Sequence, residues 1–440
     1  MPNPALAWHK TNAPVASRRT DDIWFASPDV GWAVNSNGHI LKTEDGGNNW
    51  TTQKETSVYL RCIGFAGTTT RVGWVGSVSP ETRMFGTRDG ATWNPVNNLP
   101  PKPVKVCGLS VVDDQVIYAS GTNDPRDDPA VLKTTDGGAN WTSIDMTAHA
   151  SLLVDCHFQT RDRGWVVGGR DVVACPGRRA TRDVVRPVVL FTDDGGATWT
   201  DLIPDGDKKR FPHGEWGWKI FFLDDRVAFV SLENFLDGAI LKSVDGGMTW
   251  KRLPINDRQR NANLEGIGFV SEDKGWVGGW GDVGFSGGFT SKTEDGGKTW
   301  DNANEVGFRL NRFRFFGNPV TVGYASGDTV YKYSAGPAPA PLAVAMAAPA
   351  LLRRAEPATL AVGRGELVVS VPQGAGALRV ELWDRFGNHL EVVWQEKPEA
   401  GERTILVDPQ AIADAGLLGD AGILRVTIDG RAESMLMPLE

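Results

Sequence analysis

Arginines and aromatic residues gather in the connectors of this 440-residue chain. One connector, from Gly168 to Pro187, carries Arg170, Arg178, Arg179, Arg182 and Arg186 against Asp171 and Asp183, a local charge of +3 on a chain of −8. A second, from Pro204 to Trp216, holds Lys208, Lys209, Arg210, His213, Glu215 and Trp216, with Trp218 just beyond. A third sets Trp280, Asp282, Phe285 and Phe289 among glycines, and a fourth, Gly121 to Pro129, is built from Asp, Asn, Pro and Arg. Guanidinium forks clamp carboxylates and phosphates, and aromatic faces stack on sugars or cations. The set therefore suits a carboxylate, phosphate or sugar-acid ligand, or the acidic surface of a partner protein. The plainer reading of the same arginines is a solvated, salt-bridged loop.

Other chemistry is thinly represented. Glu233, Asp282, Glu215 and His213 are the acids and bases to inspect first for a hydrolase or lyase. The six histidines show no paired metal spacing, and no phosphate loop or nucleophile elbow occurs, so neither a metal nor a cofactor is expected. The four cysteines, Cys62, Cys107, Cys156 and Cys175, form no Cys-x-x-Cys. Cys107 and Cys156 fall in the same register of adjacent units, too far apart for a disulfide, so buried thiols are expected; Cys156 with Cys175 is the pairing left open.

The elements that must position these connectors are repeats. The string Thr43-Glu44-Asp45-Gly46-Gly47-Asn48-Asn49-Trp50 recurs around Asp89, Asp136, Asp194, Asp245 and Asp295, each with a Trp four or five residues on. Ahead of most copies stands a Gly-Trp pair (Gly31-Trp32, Gly73-Trp74, Gly164-Trp165, Gly275-Trp276), and ahead of that an apolar alternation such as Ile23-Trp24-Phe25 or Ile267-Gly268-Phe269. β-Branched and aromatic alternation bounded by Gly, Asp and Asn signals strands, and Asp-Gly between two strands signals a hairpin turn. Four short strands per unit is the arithmetic of a propeller blade.

Six units carry the Asp-Gly turn. Phe313-Arg314-Phe315, Gly323-Tyr324-Ala325 and Val330-Tyr331-Lys332 then supply three strands of a seventh, and Leu6-Ala7-Trp8-His9-Lys10-Thr11 resembles the missing fourth. The expected fold is all-β: a seven-bladed β-propeller over residues 1–334, closed by the N-terminal strand. In such a ring, the turns between second and third strands and the crossings between blades share one face. The Asp-Gly corners occupy the other. All four long connectors fall on the first face, over blades three to six.

The repeat resembles the Asp-box (BNR) motif of sialidase-like propellers, and with seven blades it is most similar to the photosystem II stability and assembly factor family and its bacterial relatives. The resemblance covers about residues 5–334. It implies that Asp45, Asp89, Asp136, Asp194, Asp245 and Asp295 are structural turn residues, and that a basic patch on the propeller holds a partner protein. Arg61, Lys105, Lys219, Arg309, Arg312 and Arg314, on or beside the first strands, match that patch loosely. Each also makes sense as an ion pair to Asp22, Asp155 or Glu265. Sialidase chemistry would need three carboxylate-clamping arginines, a Tyr–Glu nucleophile pair and an acid/base Asp. Tyr59 alone of the five tyrosines sits in a connector, Arg18-Arg19 lacks the Arg-Ile-Pro string, and sialidase propellers have six blades.

Composition sets the remaining limits. Lys+Arg is 46 against Asp+Glu 54, the wrong balance for a nucleic-acid binder, and no apolar stretch approaches the ~20 residues of a transmembrane helix. Without a visible signal peptide the sequence reads as cytoplasmic as it stands, or exported if a leader was trimmed. Residues 335–358 are a Pro/Ala-rich linker, and strand alternation returns over 359–440 as a small immunoglobulin-like β-sandwich, with one short helix at 410–419. The expectation is a non-catalytic assembly scaffold that holds a protein partner on the loop-rich face. The alternative is a carbohydrate-binding or glycoside-hydrolysing propeller, with a glycan stacked on Trp216 and Trp280 and clamped by the blade-four arginines.

Overall fold

A computed structural model describes residues 6–67, 70–171, 182–203, 210–234, 237–258, 261–281 and 288–335, together with the backbone of seven C-terminal strands between Leu360 and Met437. The chain divides into two compact units, Met1–Pro341 and Leu342–Glu440. The first contains seven four-stranded antiparallel sheets, each a meander whose first strand lies innermost. The innermost strands are Thr20–Phe25, Leu60–Phe65, Gly108–Val111, Leu152–Phe158, Glu215–Phe222, Leu264–Phe269 and Arg312–Phe316. In the seventh sheet the outermost strand is Ala7–Lys10, antiparallel to Val330–Ser334 with Trp8 opposite Tyr333. Trp8 packs edge-on against Trp276 at 5.4 Å and Phe313 at 5.7 Å, so the Ala7–Lys10 strand is held to blades six and seven by aromatic contact.

Blade packing follows from the sequence alternation. The Gly-Trp tryptophans sit inside the blades, and the Ile-x-Phe phenylalanines lie against the equivalent position of the preceding blade. Phe158 stacks on Tyr118 at 3.5 Å, Phe269 on Phe229 at 3.7 Å and Phe25 on Tyr324 at 3.7 Å. Glycine is required before those tryptophans: a Cβ on Gly31 would lie 2.2 Å from the Phe25 ring, and one on Gly164 2.2 Å from Phe158.

The Asp-Gly corners share one geometry. Asp45 Oδ1 accepts from the Asn49 amide at 2.8 Å and from the Thr43 hydroxyl at 3.0 Å, while Thr43 Oγ1 accepts from the Gly47 amide at 2.9 Å. Gly46 and Gly47 take φ of 69° and 90°, where a side chain would strain. Asp136, Asp194, Asp245 and Asp295 repeat the carboxylate contacts, and Asp89 does so with a turn one residue shorter. Trp250 closes its corner by donating Nε1 to Gly247 O at 3.0 Å.

Two connector expectations change. The blade-four strands run on to Asp171 and restart at Val185, so Arg170 and Arg186 face each other in a ladder instead of lying in a loop. The innermost strand of blade five begins at Glu215, which takes Trp216 and Trp218 out of the crossing and into the sheet.

The second unit holds a three-stranded sheet (Leu360–Gly363, Glu366–Val371, Gly401–Leu406) and a four-stranded sheet ordered His389–Glu396, Leu378–Asp384, Gly422–Ile428, Arg431–Met437. The helix expected at 410–419 lies outside the described residues.

Candidate functional site

The seven innermost strands run side by side around a central channel, and their N-terminal ends meet at the loop-rich face. Charged residues one or two places ahead of the apolar alternation in six of the seven blades therefore converge, although 290 residues separate Asp22 from Arg312.

The deeper tier is a set of bolts between blades. Arg312 of blade seven donates to both oxygens of Asp155 in blade four, each at 2.9 Å, and to Asp22 of blade one at 2.9 Å. Asp22 and Asp155 also accept backbone amides from the following blades, Ile63 and Ile220, both at 3.2 Å. The Arg312 guanidinium and the Asp155 carboxylate hold each other charged despite full burial: the Asp155 pKa lies below, and the Arg312 pKa above, its ordinary value. Lys219 stands 3.9 Å from Asp155, its pKa lowered by burial and by Arg312.

The outer tier lies at the mouth. Arg19 pairs with Asp21 at 2.9 Å and with Glu265, and Arg61 pairs with Asp21 at 2.6 Å. Tyr59 donates its hydroxyl to Asp21 at 3.2 Å, with its own pKa pushed up to about 12 by burial and by that carboxylate. Trp280 donates Nε1 to Glu265 at 2.9 Å and is half-buried, with two guanidinium groups near its ring, Arg19 at 4.8 Å and Arg309 at 5.6 Å. Arg61 covers Trp218 at 4.8 Å, and the Trp218 indole donates to Asn311 at 3.0 Å. Glu233, buried beside this group, has its pKa raised by burial and by the charge of Glu265, and its Oε2 has no hydrogen-bond partner among the described residues.

The connector residues distribute unevenly. Trp280 reaches the mouth. Arg210 is exposed on blade five, over the Phe211 ring at 5.2 Å and donating to Trp250 O at 2.9 Å, with His213 half-buried nearby in sequence. Arg170 is half-buried. Arg178, Arg179, Lys208, Asp282 and Phe285 lie outside the described residues. Trp216 cannot be a stacking platform: it is 0% exposed, packed with Leu152, Val154, Val185 and Trp218 and capped by Arg182 at 5.1 Å. The alternation that starts at Glu215 turns its ring into the blade interface. Glu215 is likewise enclosed, held by Arg252 at 2.8 Å and Asn234 at 3.0 Å. Among the described residues no group of His, Cys, Asp and Glu could hold a metal, and Cys62, Cys107 and Cys156 are buried free thiols.

Of the six basic candidates, Arg61 and Arg312 pair with Asp21, Asp22 and Asp155 as above. Lys105 pairs with Asp127 at 2.9 Å and Arg309 with Asp328 at 3.6 Å. Arg314 makes no ion pair among the described residues. Sequence reading missed Arg19, Asp21, Tyr59 and Glu265 as one constellation. The available signal was the charge recurring just ahead of successive Ile-x-Phe strands.

A family profile described as photosynthesis system II assembly factor YCF48 matches residues 3–150. Photosystem II assembly lipoprotein Ycf48 of Synechococcus sp. (strain CC9902) is 24% identical over 270 residues, 54% of this chain and 76% of that protein. The chloroplastic stability/assembly factor HCF136 of Cyanidioschyzon merolae is 25% identical over 329 residues, 62% of this chain and 72% of that one. A solved YCF48 with a bound D1 peptide aligns at TM-score 0.53 and 16% identity, covering 76% of this chain and 98% of that structure. The chain is a seven-bladed propeller resembling the photosystem II stability/assembly factor family. An ancestral GH74 enzyme also aligns, at TM-score 0.51 and 12% identity over 84% of this chain and 54% of that one, so fold alone does not separate binding propellers from hydrolytic ones.

Proposed function

We propose that this chain is a non-catalytic assembly scaffold that holds a segment of a partner protein at the loop-rich mouth of its channel. The observation that carries the reading is the half-buried Trp280, its ring against the buried Arg19 and the part-exposed Arg309 and its N–H on Glu265. An indole face and the part-exposed Arg309, held in place by the buried Arg19–Asp21–Arg61–Glu265 ion pairs, are preorganised to grip a peptide without being remodelled. The D1 peptide bound to the solved YCF48 supports the same class of partner. In this account the N-terminal strand seals the ring, residues 335–358 form a linker, and residues 359–440 are an immunoglobulin-like module that docks the propeller. Two of the relatives are lipoproteins, which supports an exported, surface-held protein.

The test is affinity purification of the full chain beside its Trp280→Ala and Arg309→Glu variants, with a glycan array and chromogenic glycosides in parallel. A defined protein complex recovered with the parent chain and lost from both variants supports the scaffold. Glycoside turnover, or glycan binding abolished by Trp280→Ala, overturns it in favour of a carbohydrate-active propeller.

A further inference from the structure

The opposite end of the channel has a different character. The residues that face the Gly-Trp position across the first hairpin of each blade form a seven-membered ring: Trp24, Gly64, Ser110, His157, Phe221, Gly268 and Arg314. All of them but Gly268, with their neighbours in sequence, line a cavity of about 760 Å³ that opens at the Asp-Gly face. Its walls are rings. Phe221 and Phe315 meet edge to face at 6.1 Å, and His157 lies nearly parallel to Phe222 at 4.6 Å. Two of the seven positions are glycines for a reason: a Cβ on Gly268 would come within 2.9 Å of Phe315, and one on Gly64 within 2.9 Å of Val111. Glycine lets neighbouring apolar side chains lean over the opening.

Two guanidinium groups line this aromatic-walled cavity, Arg312 and Arg314, and among the described residues only Arg314 makes no ion pair. Arg314 lines it, half-buried, with a single long contact from Nε to Ile23 O at 3.4 Å. Two residues earlier on the same strand, Arg312 has consumed both Asp22 and Asp155. The acids that reach the rim are already engaged: Glu272 with Arg226 at 2.9 Å, and Asp224 with the amides of Arg226 and Val227. His157 is neutral at physiological pH, its pKa held near 4 mainly by burial. Burial, and then the charge of Arg312, bring the Arg314 pKa down to about 10, so the site favours an incoming anion. A half-buried cation with no counter-charge among the described residues is costly, and a ligand that supplies the charge recovers that cost.

The geometry points to a ligand site here for a small flat monoanion, a carboxylate on an aromatic or aliphatic body, with its charge on Arg314 and its body against Trp24, Phe221, Phe222 and Phe315. The volume lies in the usual range for small-ligand pockets, roughly 300–1,000 Å³. A dianion is disfavoured because the second cation lining the cavity, Arg312, is already neutralised by Asp22 and Asp155, and Glu272 and Asp224 ring its edge. This site lies at the far end of the channel from the partner-holding mouth and stands independently of it.

The test is calorimetric titration of the full chain with 2-naphthoate and with the uncharged isostere 2-naphthamide. The acid is expected to bind at least about tenfold more tightly than the amide, as loss of a charged hydrogen bond implies. Arg314→Gln should abolish that preference, Arg314→Lys should retain part of it, and Trp24→Leu should weaken acid and amide alike. Trp280→Ala, at the other mouth, should change neither. Equal affinity for acid and amide, no binding of either, or a preference that survives Arg314→Gln overturns the proposal. The acid-to-amide ratio is read on the unaltered chain and does not depend on any variant folding.

Discussion

The two mouths of one channel spend their charge in opposite ways. At the loop-rich mouth, arginines and carboxylates from distant blades neutralise one another, and the cations do mechanical work as bolts. At the Asp-Gly mouth, aromatic rings line the opening and Arg314 has no counter-charge among the described residues. The contrast is sharpest on one strand, where Arg312 and Arg314 are two residues apart and share one side of it. A repeat scaffold fixes the backbone of both, and the neighbouring blade decides whether a carboxylate is there to meet the side chain. A basic residue on an inner strand is therefore no guide to function until its partner is known.

The largest effect should come from breaking the bolts. Arg312→Met leaves Asp22 and Asp155 buried without their cation, and loss of one partner of a buried pair costs about 3–5 kcal/mol. Thermal unfolding should show a fall of several degrees, whereas Arg314→Met should change stability by less than about 1 kcal/mol or raise it. Equal losses for the two variants would erase the contrast. The seam comes next. Trp8→Ala removes the aromatic contacts to Trp276 and Phe313 and should cost about 2 kcal/mol, below the ~3–5 of a fully buried ring because Trp8 is half-buried.

The pH profile sharpens the comparison further, because the two mouths titrate with opposite sign. Glu233 has a raised pKa in the folded chain, so the folded state keeps a proton that the unfolded chain has lost. Its contribution is complete below pH ~4.5 and declines as pH rises towards 8. His157 is depressed to about 4, so its contribution is complete above pH ~6.5 and is lost as pH falls towards 4. Denaturant midpoints measured from pH 4 to 8.5 should therefore flatten on the alkaline side in Glu233→Gln and on the acid side in His157→Phe. The smallest effect belongs to the corners. Asp245→Ala, at an exposed turn, should move the melting temperature by no more than about 2 °C and leave both mouths unchanged.

The blades were legible because their signals are local. Asp-Gly corners, Gly-Trp pairs and Ile-x-Phe alternation each lie within a few residues, and each is demanded by a turn, a close approach or a packed interface. The channel was legible only in part. The basic residues stood out, but pairing Arg19 with Glu265, or Arg312 with Asp155, requires knowing which strand ends the ring brings together. Trp216 misled for a related reason. A tryptophan beside Lys208, Arg210 and His213 reads as part of a polar connector, and only the longer innermost strand of blade five turns it inward. Arg314 carries the same local pattern as Arg312, so nothing in the sequence marks it as the one left unpaired.

The central claim is that a partner protein is held at the loop-rich face. The most direct measurement places a photo-crosslinking amino acid at exposed Arg126 or Asp128 on that face, and at exposed Glu44 or Asp162 on the Asp-Gly face, then maps the adducts by mass spectrometry in the native setting. The account predicts one recurrent protein adduct from Arg126 and Asp128 and none from Glu44 or Asp162. Adducts from the Asp-Gly positions alone would contradict it.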